Sequence, residues 1–185
     1  MAAATSMPKS VFAICGSTAD NSSNLHLLKY LAALAKDRFN VSIYDSLKSL
    51  PPFDPELSIN NPPPPVLELR ASIAAADGIL ICTPEYVFSI PSGLKNAFEW
   101  CVATTVFSNK PVGLITASAH GVKGHEELQC IVKTIEGRFT SETALLIQGI
   151  KGKMNAEDNV KDEETKNKLS AFINAFDNLI NDVST

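Results

Sequence analysis

Val11-Phe-Ala-Ile-Cys15 is followed by Gly16-Ser17-Thr18-Ala19-Asp20-Asn21-Ser22-Ser23-Asn24 and then by Leu25, Leu28, Leu31, Ala32 and Ala35. A short run of strand formers stops at a glycine. Nine small or polar residues follow, and apolar residues then recur at helical spacing. Ser22 or Ser23 can cap that helix, because a hydroxyl there accepts from a first-turn N–H that has no partner within the helix. The unit is strand, loop, helix. The same rhythm returns four more times. Strands are predicted at Val41–Asp45, Ile79–Cys82, Val112–Thr116 and Ala144–Gln148. Helices are predicted at Val66–Ala76 and from Pro91 to about Thr104. A third is marked by Leu128, Ile131, Val132 and Ile135, and a fourth by Leu169, Phe172, Ile173, Phe176 and Ile180. Asp162 and Glu163 stand at the start of the last, where negative charge meets the helix dipole. The run Ile79-Leu-Ile-Cys82 is apolar throughout, as a strand covered on both faces should be.

Five strands alternating with five helices imply an α/β fold, a three-layer α/β/α sandwich around a five-stranded parallel sheet. Right-handed crossovers leave few topologies, and strand order 2-1-3-4-5 is the commonest for five strands. Residues 46–65 carry Pro51-Pro52, Asp54-Pro55 and Pro62 to Pro65, and are read as a long loop because proline lacks an N–H. The rhythm resumes after it, so residues 1–185 are expected to form one domain, with residues 1–10 as a flexible leader. No internal repeat is found.

Composition narrows the function. The 185 residues are 45% hydrophobic and 19% charged, which is ordinary globular usage. The formal net charge is -4 and the lysines are scattered, so a nucleic-acid partner is not expected. No apolar run approaches the ~20 residues that a membrane helix needs. The N-terminus lacks the basic start and apolar core of a secretory signal. The four cysteines form no C-x-x-C pair and read as reduced, mostly buried thiols in a cytoplasmic protein.

In such a sheet a ligand binds beyond the carboxyl ends of the strands, at the switch point beside the first strand. Three loops should converge there: Gly16–Asn24, Thr83–Ile90 and Ala117–His125. The first combines hydroxyl and amide side chains with free helix N–H groups, a setting for a phosphate; a capped turn without ligand has the same composition. The second, Thr83-Pro84-Glu85-Tyr86-Val87-Phe88-Ser89-Ile90, is stiffened by proline and offers apolar faces that suit a flat aromatic ligand or a partner subunit. The third contains Gly121 and Gly124, which let a ligand approach the backbone. His120 and His125 lack the acidic or thiol neighbours of a metal site and read as solvated. The chain has neither the Walker glycine-lysine pattern nor the three-glycine dinucleotide fingerprint, which argues against an ATPase and an ordinary dehydrogenase. No G-x-S-x-G elbow exists, and nothing near Cys15 or Cys82 in sequence would activate a thiol.

The stretch Thr83-Pro84-Glu85-Tyr86-Val87-Phe88-Ser89-Ile90-Pro91-Ser92-Gly93-Leu94-Lys95-Asn96-Ala97-Phe98-Glu99-Trp100 resembles the signature of the NADPH-dependent FMN reductases, T-P-E-Y-N followed by P-G-x-L-K-N-A and an acidic residue with Trp. The first loop resembles that family's G-S-x-R-x-x-S-x-N phosphate loop. The resemblance runs from about Val11 to Ile180. It implies a flavodoxin-like fold and an FMN-dependent NAD(P)H oxidoreductase. Hydride would pass from NADPH or NADH to FMN, and electrons then to a small acceptor: a quinone, an azo compound, a metal oxyanion or free flavin. It implies FMN phosphate on Ser17, Thr18, Ser22 and Asn24, and the ring along Pro84, Glu85, Tyr86 and Val87. Ser118, His120 and Gly121 would lie near the ring's pyrimidine edge. No catalytic side chain and no metal are implied, since the flavin carries the chemistry. A homodimer or homotetramer is implied, with Tyr86–Ile90 and the Trp100 helix suited to an interface. The family's arginine falls on Ala19, so a charge-assisted clamp on the phosphate is missing. Its asparagine falls on Val87, and the glycine after Pro91 on Ser92. A non-enzymatic FMN electron carrier and a flavin-free binding protein are the competing readings.

Overall fold

The computed structural model describes residues 7–155, 157 and 159–182. Five strands, β1 (Lys9–Cys15), β2 (Phe39–Tyr44), β3 (Gly78–Thr83), β4 (Val112–Ser118) and β5 (Ala144–Gln148), form one all-parallel sheet in the order β2-β1-β3-β4-β5. This is the predicted flavodoxin-like order. Among the described residues seven α-helices accompany it: α1 (Ser23–Leu34), α2 (Pro55–Asn60), α3 (Pro64–Ala75), α4 (Ser92–Cys101), α5 (Val122–Thr134), α6 (Ile150–Lys153) and α7 (Glu163–Asn181). Lys9 and Ser10, expected in the leader, pair with Phe39 and Asn40 as part of β1. Met7 and Pro8 precede the strand and are exposed, and residues 1–6 of that leader lie outside the described residues.

Side chains alternate across the pleat, so each strand feeds two cores. Val11, Ala13 and Cys15 of β1, with Leu80 and Cys82 of β3, pack under α1 and α7. Phe12 and Ile14, with Ile79 and Ile81, pack under α3, α4 and α5. Leu27, Leu28 and Leu31 are fully buried from α1, each contributing ~1.5–3 kcal/mol. A Cβ on Gly113 would come within 2.7 Å of Phe172 Cζ, and one on Gly78 within 2.7 Å of Ile180 Cδ1. Glycine at both positions lets α7 close onto the sheet.

The proline-rich connection is more ordered than its composition suggests. Pro55 opens α2, where its missing N–H costs nothing, and Asp54 accepts from Glu56 N (2.9 Å) and Leu57 N (3.1 Å). Two residues of the signature stretch hold this segment. Asn96 accepts from Phe53 N (2.8 Å) and donates to Pro51 O (2.9 Å), and Trp100 Nε1 donates to the same carbonyl at 2.8 Å. Phe53 packs edge-on to Trp100, with centroids 5.4 Å apart. Trp100 is fully buried, so its side chain belongs to the core. Arg70 of α3 donates to Ser58 O (3.1 Å) and Trp100 O (2.9 Å), which joins α2, α3 and α4.

Candidate functional site

The loop after β1 turns at Gly16, whose N–H bonds Cys82 O at 2.8 Å. A Cβ on Gly16 would lie 2.4 Å from Thr83 Oγ1 and 2.9 Å from Leu94 Cδ2. Only glycine lets the chain pass this close to β3. The loop then folds back as a cap. Ser22 Oγ accepts from Asn24 N at 3.2 Å, and Ser17 Oγ accepts from Ala19 N at 3.4 Å. Ser17, Ser22 and Asn24 are all at most 5% exposed. The Asn24 amide faces the strands: Nδ2 donates to Ala117 O at 3.2 Å, and Oδ1 accepts from Cys82 Sγ at 3.3 Å. Asn24 therefore ties the start of α1 across the ends of β3 and β4. Asp20 turns outward and pairs with Lys48 at 3.1 Å.

The second loop is a tight hairpin. Tyr86 and Ser89 exchange N–H···O bonds of 2.8 and 3.0 Å. Val87 and Phe88 at its tip have φ of 52° and 57°, the positive values that both central positions of a type I′ turn require. Both point outward, at 96% and 78% exposed. Glu85 reaches the third loop: its carboxylate accepts from Gly121 N at 3.3 Å and Gly124 N at 2.8 Å. It thereby satisfies first-turn N–H groups of α5 and meets the positive end of that helix. Gly121, at φ 85°, makes the turn into α5.

These loops enclose a cavity of about 430 Å³ beyond the carboxyl ends of β1, β3, β4 and β5. That is within the ~300–1,000 Å³ typical of small-molecule sites. Of the predicted site residues, Ser17, Ser22, Asn24, Pro84, Tyr86 and Ser118 line it. Thr18, Glu85, Val87, His120 and Gly121 do not. Thr18 lies against Gly93, Glu85 is committed to α5, and Val87 projects into solvent because the turn geometry carries it there. A fourth segment, Gly149–Gly152, also lines the cavity. It directly follows the fifth strand, so the rule that ligands sit at strand carboxyl ends pointed to it as it did to the other three.

Cys15 and Cys82, adjacent in the β1–β3 register, are buried, and burial pushes both thiols up. Cys101 is pushed up to about 12 by burial. These thiols are inert, while Cys130 is exposed. His125 Nδ1 lies 2.9 Å from Thr116 Oγ1, and burial lowers its pKa. Among the described residues no His, Cys, Asp or Glu cluster could hold a metal, and no helix is long and apolar enough to cross a membrane.

Comparison with known proteins matches residues 10–149 to the NADPH-dependent FMN reductase family model. The chain belongs to the NADPH-dependent FMN reductase family. An NADPH:quinone oxidoreductase of Arabidopsis thaliana is 31% identical over 171 residues, 88% of this chain and 87% of that protein. A quinone reductase of Escherichia coli K12 is 33% identical over 128 residues, 68% of each chain. Among solved structures, the flavoenzyme NAD(P)H:(acceptor) oxidoreductase FerB of Paracoccus denitrificans superposes with a TM-score of 0.81 at 26% identity, covering 94% of this chain and 97% of its own. As a member of the FMN reductase family the protein is an NAD(P)H-dependent flavin oxidoreductase, with FMN as cofactor and a nicotinamide as electron donor. The carrier and flavin-free readings give way to this one.

The residues present fit the cofactor. Ser17, Ser22 and the first-turn N–H groups of α1 offer neutral hydrogen-bonding partners to a phosphate, Pro84 and Tyr86 offer apolar faces to a ring, and among the described residues no carboxylate lines the cavity.

Proposed function

We propose that FMN binds in the cavity between the four loops and that the protein reduces quinone-class acceptors with electrons from NAD(P)H. The observation that carries this is the composition of the cavity: a capped helix N-terminus at one side and Pro84 with Tyr86 at another. When bound there, FMN would supply the two-electron chemistry, accepting from the nicotinamide and passing on to the acceptor. Ser17 and Ser22 with the α1 N–H groups hold the phosphate, and Asn24 fixes their position through β3 and β4. Glu85 orients the third loop, placing Ser118 beside the ring. Among the described residues the lining contains no carboxylate, imidazole or thiol, and the role of these residues is to bind and orient.

The names of the Arabidopsis and Escherichia coli relatives support a quinone as acceptor. We extend the proposal to a homodimer or homotetramer, with the exposed Val87 and Phe88 covered by a second copy, because a rigid turn presenting two apolar side chains to water is a feature of interaction surfaces. The absence of a long apolar helix among the described residues and the buried thiols are consistent with a cytoplasmic setting.

The test is an FMN titration of the purified protein, followed by NADPH oxidation with a benzoquinone, with sedimentation velocity for the assembly state. Saturable quenching of FMN fluorescence and quinone-dependent NADPH oxidation are expected. Ser22→Asp, which sets a negative charge at the phosphate, should weaken FMN at least tenfold. Unchanged FMN affinity in that variant would remove the phosphate from this loop.

A further inference from the structure

We infer that Lys151, on the segment after β5, supplies the positive charge that holds the cofactor phosphate in this protein, in place of the family arginine that is Ala19 here. The inference rests on the placement of FMN proposed above and adds a residue to it.

The argument starts from charge. A flavin mononucleotide carries a phosphate that is anionic at neutral pH. Moving it from water into a partly enclosed site is costly unless hydrogen bonds and opposite charge replace its hydration. The first loop supplies hydroxyls and helix N–H groups but no cation, because Ala19 stands where an arginine would. The acid of that loop, Asp20, is paired with Lys48 and does not line the cavity. Among the described lining residues Lys151 alone carries a formal charge.

Its position is fixed by the backbone. Gly149 N donates to Ser118 O (2.8 Å) and Ala119 O (3.2 Å), which ties this segment to the third loop. Gly149 turns the chain at φ 66°, and Ile150, 3% exposed, anchors α6 in the core. Lys151 follows immediately. The two lysines of α6 then differ in use. Lys153 is held by Asp162 (3.3 Å) and Thr165 (3.2 Å) away from the cavity. Lys151 has no carboxylate partner among the described residues. A lysine suits the role because its flexible stem brings a point charge to a phosphate without the fixed geometry of a guanidinium fork.

The segment carrying Lys151 lies more than 120 residues from the first loop in sequence, so the substitution at position 19 and its replacement are linked only through the cavity. A cation on Gly149–Gly152 in place of one on the first loop would also make phosphate binding depend on the contact between that segment and the third loop.

The experiment compares two probes, FMN and riboflavin, which differ by the phosphate. Each is titrated by fluorescence quenching into the full chain, into Lys151→Met and into Lys151→Arg, at low and at high salt. The expected result is an FMN Kd raised about tenfold in Lys151→Met, a riboflavin Kd within twofold of the parent, and a flatter salt dependence for FMN. Lys151→Arg should stay near the parent. Adding Ala19→Arg to Lys151→Met should restore FMN affinity, because both cations address one phosphate. If the parent binds FMN more tightly than riboflavin and Lys151→Met leaves that preference intact, the role of Lys151 is overturned while the FMN placement stands. If the parent shows no preference for FMN over riboflavin, the phosphate placement itself falls, and the inference with it. If FMN and riboflavin weaken equally in Lys151→Met, the lysine acts on the shape of the cavity and the inference is likewise overturned.

Discussion

Val87 is a β-branched residue held at φ 52°, where asparagine or glycine is comfortable and valine is not. The family signature has asparagine at this position, which is the residue that the turn geometry favours. Strain of this kind costs of order 1–3 kcal/mol. Val87→Asn should therefore stabilise the protein by about 1 kcal/mol, raising Tm by roughly 2–4 °C for a chain of this size. Calorimetry checks this, and an unchanged Tm would show that the turn carries no strain at Val87. Glu85 is a second case in which a residue's role came from its partners. Its carboxylate joins the second loop to the start of α5 through Gly121 and Gly124. The motif identifies the residue, but only the packed loops show that its target is backbone.

At the scale of elements, helix ends were read well where a capping side chain stands beside a periodic apolar pattern. Ser22 caps α1 and Asp162 caps α7, both near the expected places. The connection 46–65 reads as loop, yet it contains a short 3-10 turn, α2 and the first residues of α3. Six residues are too few to show helical periodicity, so the proline count outweighed the Asp54-Pro55 start signal. Asp54→Ala should test how firmly that cap holds the segment. Loss of two bonds to the backbone should cost about 1 kcal/mol, read as a lower urea midpoint at unchanged slope. No loss of stability would mean that Asn96, Trp100 and Arg70 hold the connection without it.

At the scale of the whole molecule, acid should weaken the fold through the carboxylates that are hydrogen-bonded in the native state. Asp162 is held below its usual range chiefly by the Thr165 hydroxyl and N–H, with Lys153 adding to this. Glu164 is lowered by Lys168. A carboxylate whose folded pKa is depressed stabilises the protein above its unfolded pKa, and that contribution fades as pH falls through the folded value. Urea midpoints should therefore be level from pH 7 to about 5 and drop below about pH 4. Asp162→Asn should flatten part of that drop, and an identical acid profile in the variant would exclude Asp162 as a contributor.

The layered α/β class, the five strands and the loops that could meet a ligand are all legible in the amino-acid order. Those features are local: strand and helix periodicities, caps and glycine stops are written in neighbouring residues. Of the residues that the family resemblance assigns to the site, Ser17, Ser22, Asn24, Pro84, Tyr86 and Ser118 line the cavity, because the loops that carry them follow strands whose carboxyl ends converge. The tertiary structure decided which side chains face the cavity. It turned Val87 outward, gave Glu85 to the α5 backbone, buried Trp100 beneath the proline-rich connection and brought Gly149–Gly152 alongside the first loop. The reason is that direction and partnership depend on contacts between residues far apart in the chain, here from Ser17 to Lys151, and no local pattern encodes the place where such segments meet.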